Sequence, residues 1–122
     1  MAGELILIVE DNEKNRKLER DILQFHGYRT AEADNAEDGI RLAQESPPDL
    51  ILMDIQLPGL DGYEATRRIK ANPDLRHIPI IVVTSYALSG DDVKAFEAGC
   101  DAYVTKPFVP RELLAKIRGY LG

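Results

Sequence analysis

Several residues able to do chemistry sit where short apolar runs end. Glu10 and Asp11 follow Leu5-Ile6-Leu7-Ile8-Val9. Asp54 follows Leu50-Ile51-Leu52-Met53, Thr84 follows Ile80-Ile81-Val82-Val83, and Lys106 comes just beyond Ala102-Tyr103-Val104. Adjacent carboxylates raise each other's proton affinity unless a cation compensates them. A hard, oxygen-seeking ion such as Mg²⁺ (or Mn²⁺) is the natural compensation.

Each residue has an ordinary reading by itself. An Asp at a strand end caps the next turn, and a Thr there is a β-branched strand residue. Together they form a different set: three carboxylates, one ammonium and one hydroxyl. A carboxylate attacks phosphoryl groups to give an aspartyl phosphate, and phosphoryl transfer needs in-line placement and neutralised oxygens. In this reading Asp11 and Asp54 ligate the ion directly and Glu10 assists through a bound water. The backbone carbonyl of Gln56 is a further ligand. Lys106 meets a phosphoryl oxygen as a compact charge, and the Thr84 hydroxyl donates to another. The Lys106-Pro107 bond can be cis, which would turn the lysine over the crevice. The turn-forming run 57–62 allows close backbone approach beside the site.

These positions require strands that end at one edge. Residues 5–9 read as a strand buried on both faces, because the run does not alternate. Asn12 caps a helix over 13–26, with Leu18, Ile22 and Phe25 on one stripe and Gly27 as its stop. Residues 29–33 alternate and carry charge, as an edge strand does. Asn35 caps a second helix with Ala36, Ile40 and Ala43 on its apolar side, ended by Pro47-Pro48. Asp61 and Glu64 open a third helix, Ser89 caps a fourth that ends at Gly99, and Pro110 suits the first turn of a fifth with Leu113, Leu114, Ile117 and Leu121 as its stripe. Strands alternating with helices predict right-handed crossovers and a doubly wound parallel α/β sheet. Ligands in such sheets bind beyond the carboxyl ends of the strands, where the reactive residues fall.

The 122 residues suit one domain spanning 1–122, with 44% apolar content and a formal charge of −6 from 21 acidic and 15 basic residues. That balance argues against a nucleic-acid surface. The grouping Arg67-Arg68 with Lys70 reads as a solvated helix face. Cys100, the single cysteine, reads as a small packed residue and forms no internal disulfide. There is no secretory leader pattern and no apolar run near the ~20 residues a membrane span needs, so the expected location is the cytoplasm, away from membranes. His26 and His77 lie away from the strand ends, so a phosphodonor must come from outside.

The order Glu10-Asp11, Met53-Asp54-Ile55-Gln56-Leu57-Pro58-Gly59-Leu60-Asp61-Gly62, Thr84-Ser85 and Lys106-Pro107 resembles the receiver domain of bacterial response regulators, over about residues 4–121. The resemblance implies the five-stranded flavodoxin-like fold with strand order 2-1-3-4-5. It implies Asp54 as acceptor from the phosphohistidine of a sensor histidine kinase or histidine phosphotransfer protein, and Thr84 with Tyr103 as a switch pair. The segments around 53–57 and 99–107 are similar to single-domain regulators of the DivK type. Glu10 stands where Asp is also used, and Tyr86 either shields the phosphoryl group from water or packs on the surface.

The expected role is a phosphorylation-operated switch rather than an enzyme. Its output is a protein-binding event, because the chain stops soon after its last helix. Asn15, Leu18, Pro107 and Phe108 flank the crevice as candidates for donor docking. The face of helix 4, strand 5 and helix 5 is the candidate for a downstream protein target or a homodimer. Competing readings are a phosphate-independent adaptor, a small Mg²⁺-dependent phosphatase and a flavodoxin-like electron carrier. The phosphatase is disfavoured by Gln56, where haloacid-dehalogenase-like enzymes place a second Asp. The electron carrier is disfavoured because carboxylates, not a Gly-rich phosphate loop, follow the first strand.

Overall fold

A computed structural model of the protein describes residues 3–84, 91–106 and 108–121. Ser85, Tyr86, Pro107 and the expected Ser89 cap lie outside the described residues. Strands and helices alternate: β1 Leu5–Val9, α1 Glu13–Phe25, β2 Arg29–Ala33, α2 Ala36–Glu45, β3 Leu50–Asp54, α3 Gly62–Ala71, β4 Ile80–Thr84, α4 Asp91–Ala98, β5 Ala102–Thr105 and α5 Pro110–Leu121. The strands pair in parallel in the order β2-β1-β3-β4-β5. This is the expected doubly wound sheet, with the charged run 29–33 on one edge.

The apolar runs are continuous because helices cover both faces, and the pleat divides their side chains between two cores. Ile6, Ile8, Leu50, Leu52, Ile81, Val83, Ala102 and Val104 pack with Leu23 of α1 and Leu113, Leu114 and Ile117 of α5. Leu7, Val9, Ile51, Met53, Ile80 and Val82 pack with α2, α3 and α4 through Ala36, Ala43, Ala65, Ile69 and Ala95. Continuing the alternation one residue past β1, and to the last residue of β3, puts Glu10 and Asp54 on the α1/α5 face. Lys106, just beyond β5, has the same parity. Thr84 and Tyr103 have the opposite parity, and Tyr103 packs against the core on the α4 side. The sheet therefore separates the charged residues from the expected switch pair.

Helix starts follow the expected caps. Asn12 Oδ1 accepts from Asn15 N at 3.0 Å, Asn35 Oδ1 from Asp38 N at 2.8 Å and Asp61 Oδ1 from Glu64 N at 2.9 Å. Each satisfies an amide the helix cannot. Helix α1 stops at Phe25, one residue short of the expected end, and Gly27 at φ 91° turns the chain into β2. The expected stripe on α1 is corrected. Leu18 is 53% exposed and Phe25 85%, while the helix buries Glu19 and Leu23 with Ile22 partly covered. Apolar spacing pointed to the wrong face because a charged residue occupies the inner stripe.

Lys70 is also more than a solvated charge. Arg67 and Arg68 pair with Glu64 on the surface. The Lys70 ammonium instead donates to Ile78 O at 2.8 Å and to Asp101 Oδ2 at 2.9 Å, and the same Asp101 oxygen accepts from Ile80 N at 2.8 Å. This clamp ties α3 to the amino ends of β4 and β5, opposite the site. Asp101→Ala leaves the Ile80 amide without its acceptor and removes one partner of the Lys70 ammonium, so it is expected to lower unfolding free energy by about 1–3 kcal/mol. Urea unfolding monitored by circular dichroism, beside an unchanged Mg²⁺ titration, checks this.

Candidate functional site

The strand ends meet at a crevice of about 570 Å³ lined by Glu10, Asp11, Asp54, Gln56 and Lys106, with Asn12 and Asn15 from the start of α1. Glu10 is buried at 1% exposure and Asp54 at 7%, whereas Asp11 is exposed. Carboxylate oxygens of these three residues lie within 4.8 Å of one another. Lys106 pairs directly with Glu10 Oε1, and its Nζ stands 3.7 Å from Asp54 Oδ2. Among the described residues lining the crevice it is the one cation. The sequence-predicted Glu10, Asp11, Asp54, Gln56 and Lys106 are thus brought together.

Local structure fixes each group. Asn12 N donates to Glu10 Oε2 at 3.1 Å, and Arg16 donates to the Glu10 carbonyl at 3.0 Å while pairing with Glu32 at 3.3 Å. Arg16 so joins the end of β1 to α1 and β2, a role the sequence reading missed. Gln56 N donates to Asp54 Oδ1 at 3.3 Å. Behind Asp54, Gly62 N donates to Ile55 O at 2.9 Å, and a Cβ on Gly62 would fall 2.1 Å from the Asp54 carbonyl. Only glycine lets α3 begin this close to the acceptor strand.

The electrostatics follow from burial with too little positive charge. Burial pushes the Asp54 carboxyl up to about 7, the Glu10 hydrogen bond and charge add to that, and Lys106 and the Gln56 amide oppose it. Burial also acts to raise Glu10, but hydrogen bonds to Asp54 and Lys106 and the lysine charge outweigh it and leave Glu10 lowered. The two carboxyls titrate as a pair, and the closer lysine contact at Glu10 leaves the raised proton affinity on Asp54. Lys106 is raised: burial works against its charge, but the Glu10 hydrogen bond and the Asp54 and Glu10 charges prevail. A group of hard oxygen donors whose proton affinity is raised for want of positive charge fits a divalent cation of the Mg²⁺ type.

Of the other described residues expected at the site, only Asn15 lines the crevice. Thr84 is fully buried at the end of β4, and Lys106 N donates to its carbonyl at 2.7 Å. Tyr103 is half-buried and borders a depression of about 680 Å³ with Phe96 and Tyr120. Asn15 lines the crevice, Leu18 projects outward, and Phe108 packs partly against the α1/α5 core. His26 and His77 are exposed. Cys100 is buried beside β5, and burial followed by the Asp101 charge raises its thiol to about 11, which suits packing and not reactivity. No helix among the described residues is long and apolar enough to cross a membrane.

A five-stranded parallel sheet of flavodoxin-like order, holding an acid cluster and a lysine beyond its strand ends, defines a doubly wound α/β domain with a polar crevice at the carboxyl edge of its sheet. The chain belongs to the response regulator receiver domain family, whose profile matches residues 6–118. It is 46% identical over 117 residues to the polar-differentiation response regulator DivK of Brucella anthropi, covering 96% of this chain and 95% of that protein. Its structure is similar to the receiver domain of a sensor histidine kinase from Pseudomonas aeruginosa PAO1, which has a magnesium ion coordinated in the active site cleft. That likeness has a TM-score of 0.92 and 40% identity over 99% of both chains. It is also similar to the BeF₃-activated DrrB receiver domain, with a TM-score of 0.87 and 34% identity over 99% of this chain and 98% of that one. The protein is thus a DivK-like receiver domain, a phosphoacceptor switch of two-component signalling.

The raised proton affinity of Asp54 gives a pH signature. The Asp54 carboxyl rises from 3.8 to about 7 on folding, so the folded state binds a proton that the unfolded state has lost. Stability from this group is fully present below about pH 4 and is lost as pH rises through about 7. Compared with Asp54→Asn, the metal-free protein is expected to lose stability across that window and to level off above it. Thermal unfolding of both proteins in chelator from pH 4 to 8.5 checks this.

Proposed function

We propose that this chain is a single-domain response regulator that takes a phosphoryl group onto Asp54 from the phosphohistidine of a sensor histidine kinase or histidine phosphotransfer protein. The observation that carries the reading is the convergence of Asp54 with Glu10, Asp11 and Lys106 at one crevice. When bound, Mg²⁺ (or Mn²⁺) neutralises the clustered carboxylates and the phosphoryl oxygens. Asp11 and Asp54 would hold it with the Gln56 carbonyl, and Glu10 would assist through water.

The chain's own groups do the rest. An Asp54 carboxylate oxygen forms the new bond to phosphorus as the donor's P–N bond breaks, and its electron pair leaves on the imidazole. Lys106, already 3.7 Å from Asp54, moves its charge onto a phosphoryl oxygen. Thr84 is the donor to another, and its shift toward the group draws Tyr103 inward. Both have the α4-side parity, so occupancy at the crevice is read on the α4–β5–α5 face. There Val93, Phe96 and Tyr120 are exposed apolar groups for a downstream protein or a second copy of the chain.

Donor docking uses Asn15 and Leu18 of α1 together with the Pro107-Phe108 segment of the sequence. The net charge of −6 leaves no role for nucleic acid, and the working compartment is the cytoplasm. The chain acts as a switch labelled about once and not as a turnover enzyme. Gln56 lacks the acid–base carboxyl that a phosphatase would need two residues after its nucleophile. Retention of every acidic group, Thr84 and Lys106 favours a phosphate-dependent switch over a passive adaptor.

With a small acyl-phosphate donor and Mg²⁺, the wild-type protein is expected to acquire one hydroxylamine-labile phosphoryl group per chain, and Asp54→Asn to acquire none. Undiminished label in that variant moves the acceptor elsewhere. Lys106→Ala is expected to be labelled but to lose most of the phosphorylation-dependent change in partner binding. An undiminished binding response in that variant removes the lysine from the switch.

A further inference from the structure

One buried ionisable side chain has no part in the mechanism above. Glu19 lies one helical turn before Leu23 on the inner stripe of α1, at the middle of the helix. It is 2% exposed, and its Oε2 has no hydrogen-bond partner. Carboxyls are seldom buried this deeply without a partner, and a leucine would satisfy the stripe at no polar cost. The charged groups facing it come from three strand ends: Glu10 from β1, Asp54 from β3 and Lys106 beyond β5. Lys106 in turn feels the Glu19 charge.

The lysine ammonium has three N–H donors. In this structure it pairs with Glu10 and approaches Asp54. Once those carboxylates face a cation, the ammonium keeps a phosphoryl oxygen and loses its carboxylate partners. Glu19 Oε2, buried without a partner on the inner stripe of α1, is then an unused acceptor on the same α1/α5 side of the sheet.

We propose that Glu19 is a positioning residue for phosphoryl transfer: it receives the Lys106 ammonium when Glu10 is drawn away and so holds the lysine against the phosphoryl oxygen. The proposal rests on the reading of Asp54 as acceptor and Lys106 as its phosphate contact. Burial, then the Glu10 charge, raises the Glu19 carboxyl to about 8 against the opposing charge of Lys106, with Asp54 adding to the rise. A neutral Glu19 is a weak partner, consistent with the lysine resting on Glu10.

Beryllofluoride binding in saturating Mg²⁺ tests this, followed by the fluorescence of the five tyrosines in a chain without tryptophan. Glu19→Leu is expected to weaken beryllofluoride binding about tenfold, and Glu19→Gln, whose amide oxygen still accepts, about threefold. In a Lys106→Ala background either substitution is expected to change affinity by less than about twofold. Thermal unfolding of Glu19→Leu at or above the wild-type temperature shows that the fold is intact. Equal weakening in both backgrounds, or unchanged affinity in both Glu19 variants, overturns the proposal. Should Glu19→Leu not fold, the Glu19→Gln pair carries the same comparison. A signal that survives Asp54→Asn instead overturns the acceptor assignment, and the proposal falls with it.

Discussion

Three carboxyl groups, those of Glu10, Asp11 and Asp54, cluster at the strand ends beside one ammonium, and two of the three are almost wholly removed from water. Charges so placed repel at an energy that water screens poorly, so burial raises the proton affinity of Asp54 and Lys106 is committed to the pair. Much of the local architecture serves to hold this arrangement. Asn12 and Arg16 secure the end of β1, the Gln56 amide steadies Asp54, and Gly62 brings α3 against the acceptor's own carbonyl. A site with unspent negative charge is one whose state changes when a cation and a phosphoryl group arrive.

The pleat sets the clustered charges and the expected switch pair on opposite faces of the sheet. Glu10, Asp54 and Lys106 share the α1/α5 parity, whereas Thr84 and Tyr103 share the parity of α4. Lys106 N donates to the Thr84 carbonyl at 2.7 Å, so the lysine of the crevice and the threonine on the opposite face are joined through the backbone. In the function proposed above, this link is the shortest route from the crevice to the α4 side of the sheet.

Much of this was legible in the chain. The continuous apolar runs announced doubly covered parallel strands, and reactive residues closing those runs located the crevice. Asn12, Asn35 and Asp61 marked helix starts that the structure bears out. Residues whose roles depend on packing were not legible. Arg16 and Lys70 look like surface charges until their carbonyl partners 6 to 8 residues away are seen. On α1, Leu18 and Phe25 suggested an inward stripe, but the helix turns Glu19 inward instead. Spacing ranks residues by polarity and has no means of showing that a carboxyl is buried for its neighbours. The parity relation was readable in principle, since it follows from counting along each strand.

Calorimetric titration of the wild-type protein with Mg²⁺ near neutral pH tests the central claim most directly. One ion is expected to bind per chain with release of protons to the buffer, because the cation competes with the proton for which Asp54 has raised affinity. Absence of Mg²⁺ binding, or binding without proton release, contradicts the electrostatic account from which the rest is built.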